Sequence, residues 1–151
     1  MNKQNTLDLA FKLISNFEGF RSQAYQDQGG VWTLGYGMTS IDEKPVKSDD
    51  TITQEQAEFW LRNRILEDYN KLELYFSMNN ITINDPQAAS ILSFAFNVGF
   101  TAFQNSSVAQ ALVSNDLSKI PECLLKWCNV NKTFNQGLYN RREKEAEAFS
   151  W

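Results

Sequence analysis

The sequence predicts an α+β fold, a small antiparallel sheet lobe set into a larger helical body. Residues 20–52 mix aromatic and β-branched residues with glycines, whereas the flanking stretches carry apolar residues at helical spacing. The pair Gly29-Gly30 divides two strand-like arms and reads as a hairpin. No repeat, linker or low-complexity tract interrupts the 151 residues. They read as one domain, with a sheet lobe at about 20–52 and a helical lobe formed by 1–19 and 53–151.

Each element has its own signal. Leu7, Ala10, Phe11, Ile14 and Phe17 recur on one face of a first helix, with Asn5 or Thr6 available as its cap and Gly19 as its stop. Tyr25 on one side of the hairpin and Val31-Trp32-Thr33-Leu34-Gly35-Tyr36-Gly37 on the other form the sheet, and the charged residues 41–52 read as loop. Thr53 and Gln56 make a capping box. Ala57, Trp60, Leu61, Ile65, Tyr69 and Leu72 then mark a long amphipathic helix to about Leu74. Asp85-Pro86 reads as a cap followed by a first-turn proline, opening an almost wholly apolar helix from Ala88 to Val98 that Gly99 ends. Three more helices are expected at Ser107–Ser114, Leu117–Trp127 and Leu138–Phe149.

Composition excludes several chemistries. There is no histidine, which removes Ser-His-Asp hydrolases, Cys-His pairs and His-Glu-x-x-His zinc proteases. Cys123 and Cys128 are the two cysteines; five residues apart on a helix they point in different directions, so plain thiols are expected rather than a disulfide or a zinc site. A net charge of −4 argues against nucleic acid as partner and offers no long-range attraction to an anionic cell envelope. No apolar run is long enough for a transmembrane helix, and the first residues lack the apolar core of a signal peptide. Folding in the cytoplasm is therefore expected, with delivery by other factors to any substrate outside. Acid–base chemistry rests mainly on carboxylates.

Glu18, Asp27 and Thr33 stand out by spacing. Glu18 ends the first helix, while Asp27 and Thr33 lie on the two arms of the hairpin. A glycosidase needs one carboxylic acid to protonate the leaving oxygen and a second carboxylate to activate water or attack the sugar. The helix dipole opposes negative charge at Glu18, whereas Asp27 sits among glutamines and glycines in a polar loop that favours the anion. Glu18 thus reads as acid and Asp27 as base. The residue types also fit a plain helix stop at Glu18-Gly19, a turn residue at Asp27 and a threonine chosen for the strand at 33.

Glu18-Gly19, eight residues between Glu18 and Asp27, five more before Thr33, then Leu34-Gly35-Tyr36-Gly37, resembles the catalytic motif of the phage lysozyme (endolysin) family of T-even and lambdoid phages. The resemblance continues through Ser93-Phe94-Ala95-Phe96-Asn97-Val98-Gly99, Ala102–Ser107, Lys126-Trp127 and Gly137–Glu143, nearly the whole chain. It implies a two-lobed lysozyme-like fold without cofactor or metal, acting as a monomer on the glycan strand of bacterial peptidoglycan. The bond implied is the β-1,4 link between N-acetylmuramic acid and N-acetylglucosamine, cut with inversion. It implies Glu18 as general acid, Asp27 as the base that activates water and Thr33 as the group that positions it. Phe96 and Ser106 match cleft-lining positions, and Arg141 matches an arginine that pairs with the catalytic glutamate. The residues alone equally allow a core Phe96, a helix-capping Ser106 and a solvated Arg141.

This sequence departs from the family at three points. Met38 stands where a histidine is usual, residues 128–136 lack the glycine-rich turn of lambdoid relatives, and the chain is acidic where many members are basic. Two other functions compete. A lytic transglycosylase would need only one glutamate, and a glycan-binding module would need none of the three. The resemblance also implies no stable membrane association, and release to the wall through a holin or another route.

Overall fold

The computed structural model describes residues 1–151 and divides into two compact units, Ile14–Arg64 and the pair of segments Met1–Leu13 with Ile65–Trp151. Helix α1 (Lys3–Glu18) and helix α2 (Gln54–Met78) each contribute to both units.

In the Ile14–Arg64 unit, α1 stops where Gly19 takes a φ of +66° and its N–H bonds back to the Ser15 carbonyl at 3.1 Å. Strand β1 (Arg21–Gln26) pairs antiparallel with β2 (Trp32–Gly35), setting Tyr25 opposite Thr33 and Gln26 opposite Trp32. The connecting loop is the expected one, with Gly30 at φ +78°. Strand β2 is shorter than expected. Gly35 and Gly37 both have positive φ, and the chain folds back so that Leu34 and Met38 exchange two backbone hydrogen bonds of 2.8 and 2.9 Å.

The segment expected to be loop contains a second hairpin, β3 (Ser40–Ile41) with β4 (Lys44–Pro45). Its two-residue turn holds Asp42 and Glu43 at positive φ, a conformation for which the sequence Asp-Glu is a weak signal. Beyond it, Thr51 lies against Gln23 on the free side of β1. Ile14, Leu34, Tyr36, Met38, Val46, Ile52, Ala57 and Leu61 form the core of this unit.

The other unit is helical. Asn2, rather than Asn5 or Thr6, begins α1: its Oδ1 accepts the Asn5 N–H at 2.9 Å and its carbonyl accepts the Thr6 hydroxyl at 2.8 Å. The Thr53–Gln56 capping box of α2 forms as read, with bonds of 3.1 and 3.2 Å. That helix runs one turn past Leu74 because Phe76 is also buried. Helix α3 (Asp85–Val98) is capped by Asn84 in a capping box with Gln87, one residue before the expected cap. Asp85 is engaged elsewhere, accepting the Asn2 N–H at 2.6 Å and the Asn5 side chain at 3.2 Å.

Residues Ala88–Ala95 are all buried, and Gly99 ends the helix as expected. A short α4 (Phe100–Gln104), unforeseen, precedes α5 (Ser107–Val113). The single helix expected over 117–127 is a 3-10 turn, Leu117–Lys119, followed by α6 (Ile120–Leu125) with Pro121 in its first turn. The 128–136 segment is a third hairpin, β5 (Asn129–Val130) with β6 (Thr133–Phe134), turning on Asn131 and Lys132 at positive φ. Asn135 caps α7 (Gln136–Phe149), which packs on α3 and α6. Cys123 and Cys128 are both free thiols. No helix is long and apolar enough to cross a membrane.

Candidate active site

Glu18, Asp27 and Thr33 all fall within the Ile14–Arg64 unit. Glu18 is the last residue of α1 and is half-buried. Its carboxylate lies over the turn that closes β2: a β-carbon at Gly37 would stand 3.0 Å from Glu18 Oε2 and 3.9 Å from its Cδ. Gly37 is at φ +78°, so both its conformation and its missing side chain let the carboxylate settle there.

Asp27 organises the hairpin loop. Its Oδ1 accepts the N–H groups of Gly29 and Val31 at 2.8 and 2.9 Å, and its own N–H donates to the Val31 carbonyl at 2.9 Å. The second carboxylate oxygen, Oδ2, accepts no hydrogen bond from the protein. One oxygen is thus spent on orientation, and the other is available to a reactant.

Thr33 is 4% exposed, and its hydroxyl donates to the Val31 carbonyl at 3.0 Å. The Val31 peptide therefore ties Asp27 to Thr33, its N–H bound by the aspartate and its carbonyl by both residues. With its proton so directed, the Thr33 oxygen keeps lone pairs that accept a hydrogen bond. Val31 carried no signal in the sequence, because its part is played by backbone atoms.

The three remaining candidates belong to the helical unit. Phe96 lies on α3, half-buried and in contact with neighbours. Ser106 is 2% exposed and caps α5: its oxygen accepts the Ala109 N–H at 3.2 Å and its hydroxyl donates to the Phe103 carbonyl at 2.6 Å. Arg141 is not a solvated charge. It is 6% exposed, and its Nη2 donates to the Ser93 carbonyl at 3.2 Å.

Beside Arg141 is a polar cluster that sequence reading missed. Arg142 and Glu145 are fully buried with 3.0 Å between Nε and Oε1; Arg142 also bonds the Asn97 side chain and lies 4.9 Å over the Phe94 ring. Burial pushes the Glu145 carboxyl up to about 7 against the pull of Arg142, Arg141 and the Ser93 hydroxyl, and draws Arg142 down to about 10. The i, i+3 spacing was legible, but nothing local announced that both charges are inside. Met38, at the departure from the usual histidine, is buried, with its Sδ 3.5 Å from where a β-carbon at Gly35 would be.

A helix-terminal carboxylate, a hairpin carboxylate with one oxygen unbound and an adjacent threonine thus lie in one unit of an α+β fold. Residues 15–145 match the sequence profile of the Phage lysozyme family. An endolysin of Acyrthosiphon pisum secondary endosymbiont phage 1 is 36% identical over 141 residues, 91% of this chain and 92% of that one. The endolysin of Salmonella phage P22 is 31% identical, covering 85% of this chain and 87% of its own. Among solved structures, an endolysin from Escherichia coli O157:H7 phage FAHEc1 superposes with a TM-score of 0.83 at 29% identity, over 99% of this chain and 93% of that chain. The muramidase domain of SpmX from Asticaccaulis excentricus does so with 0.80 at 26% identity, over 93% of each. The chain belongs to the phage lysozyme family.

Proposed function

We propose that this chain is a peptidoglycan hydrolase that cuts the β-1,4 bond between N-acetylmuramic acid and N-acetylglucosamine by a single inverting displacement. Glu18 gives its proton to the glycosidic oxygen as the bond to the anomeric carbon breaks. A water held by Asp27 Oδ2 and the Thr33 oxygen attacks that carbon from the opposite face, and Asp27 takes the water's proton. The observation that carries this reading is the state of Asp27. One oxygen is pinned by two backbone N–H groups, and the other makes no bond to the protein.

On the same reading Phe96 presents apolar surface to a sugar ring, and Arg141 is a supporting residue held by the Ser93 carbonyl. Ser106 enters only by fixing the start of α5, since its hydroxyl is engaged on both sides. All three reaction residues come from one unit of one chain, so no second copy is needed to supply them, and on this reading the protein acts as a monomer at the bacterial wall. Mass spectrometry of peptidoglycan digested by the protein tests this. Hydrolysis gives reducing N-acetylmuramic acid ends, a 1,6-anhydro product indicates a transglycosylase, and no product indicates a binding module.

A further inference from the structure

Arg21 is held in an unusual way. Its guanidinium lies 4.4 Å over the ring of Tyr25 and makes no hydrogen bond or ion pair within the protein. Tyr25 sits directly opposite Thr33 across the β1–β2 pair, so the two side chains project from the same face of the sheet. The strand register shifts between Arg21 and Tyr25, and the stack brings the Arg21 guanidinium onto the ring that stands opposite Thr33. It also borders an open hollow of about 310 Å³ lined by Phe20, Arg21, Ser22, Gln23 and Ala24.

The stacking gives this charge a purpose. An exposed arginine with no partner costs side-chain entropy to hold still, and an aromatic ring beneath it lowers that cost while leaving the N–H fork unengaged. The rest of the unit does not supply an attractive field, since residues 14–64 hold eight carboxylates against five lysines and arginines. A positioned cation on a net-acidic surface attracts an anion only at short range. Its fork matches a carboxylate in two parallel hydrogen bonds.

We propose that Arg21, oriented by Tyr25, is a specificity residue that binds a carboxylate carried by the glycan strand beside the bond to be cut. This rests on the reading of the chain as a muramidase acting through Glu18, Asp27 and Thr33. Two sources present that chemistry: the lactyl carboxylate of N-acetylmuramic acid in peptide-free strands, and the carboxylates of the attached peptide.

The test uses four substrates, peptide-free and peptide-bearing strands, each with its carboxylates intact or converted to methylamides. Turnover is measured with wild-type and Arg21→Gln protein, and affinity with the same pair carrying Glu18→Gln. On intact strands Arg21→Gln should lower kcat/KM and affinity about three- to tenfold, the range between an exposed ion pair and a charge-assisted bond. On methylamide strands it should change neither. Tyr25→Leu should show the same substrate dependence with a smaller loss.

A loss on peptide-free strands assigns the lactyl carboxylate; a loss confined to peptide-bearing strands assigns the peptide. Equal losses on intact and methylamide strands, or no loss on either, overturn the proposal. Failure of the muramidase reading would look different: wild-type protein would turn over none of the strands, while the affinity measurements would still report on Arg21.

Discussion

Gly37 lies in the turn after β2, where a side chain would press on the carboxylate of Glu18: a β-carbon there would stand 3.0 Å from Oε2. The closeness of the two residues makes the turn a seat for the proposed acid. Gly30 provides a control, because it has the same φ of +78° but open space where its β-carbon would stand. Both Gly37→Ala and Gly30→Ala should lose about 1–3 kcal/mol of stability from backbone strain, read as denaturation midpoints. Only Gly37→Ala should also lose activity on the order of 10²-fold, the usual cost of displacing a reacting group. Equal activity in the two variants would show that the seat is irrelevant to catalysis.

Thr33→Val preserves strand propensity and shape but removes the hydroxyl. The structure gives that hydroxyl a structural bond, to the Val31 carbonyl, so some loss of hairpin order is expected in addition to any loss of the water. The two effects separate by comparing stability with rate. Loss of a single neutral hydrogen bond costs about 1 kcal/mol, whereas the proposed water should cost about 10²-fold in kcat. Proton NMR of early product should show the α-anomer first; the β-anomer first would rule out inversion.

The fully buried Glu145 should make stability fall as pH rises. Its carboxyl is raised from 4.5 to about 7, chiefly by desolvation, so the folded protein holds a proton that the unfolded chain has released. The stabilisation is complete below about pH 4.5 and is lost as pH climbs through about 7, to an extent of roughly 1–3 kcal/mol. Glu145→Gln mimics the neutral form and should flatten this slope in thermal melts between pH 5 and 8. A slope unchanged by the substitution would show that Glu145 stays ionised beside Arg142.

Met38→His restores the residue usual in the family. Met38 is buried and its backbone closes the turn with Leu34, so its role here is packing. Activity should stay within a few-fold of wild type, with a stability change of about 1 kcal/mol. A large gain in specific activity at constant melting temperature would contradict a packing role.

What could be read in advance divides along physical lines. The long amphipathic helix from the Thr53–Gln56 box and the apolar helix before Gly99 were legible because burial imposes a period that any window of the sequence displays. The hairpins at Asp42-Glu43 and Asn131-Lys132 were not, because their turns adopt positive φ without glycine and the strands they join are two residues long. The cap of α3 was misplaced by one residue, since Asp85 suits a cap as well as Asn84 and only its distant bond to Asn2 shows it to be occupied. At the site, the spacing of Glu18, Asp27 and Thr33 was visible. The Val31 peptide between Asp27 and Thr33 and the ring under Arg21 are products of strand register, which a linear pattern does not display.

The division of the chain into Ile14–Arg64 and the two segments around it has a consequence for the order of folding. The residues proposed for chemistry come from one uninterrupted stretch, complete once about forty per cent of the chain exists. The helical unit joins its first thirteen residues to a partner segment that begins at Ile65, and the bond from Asn2 to Asp85 closes a loop of more than eighty residues. Such distant pairings form late, since the chain entropy lost on closing a long loop comes before the contacts that repay it. On the ribosome, the stretch with Glu18, Asp27 and Thr33 would emerge well before the helices that complete the other unit, so the two units would be completed at different times during synthesis.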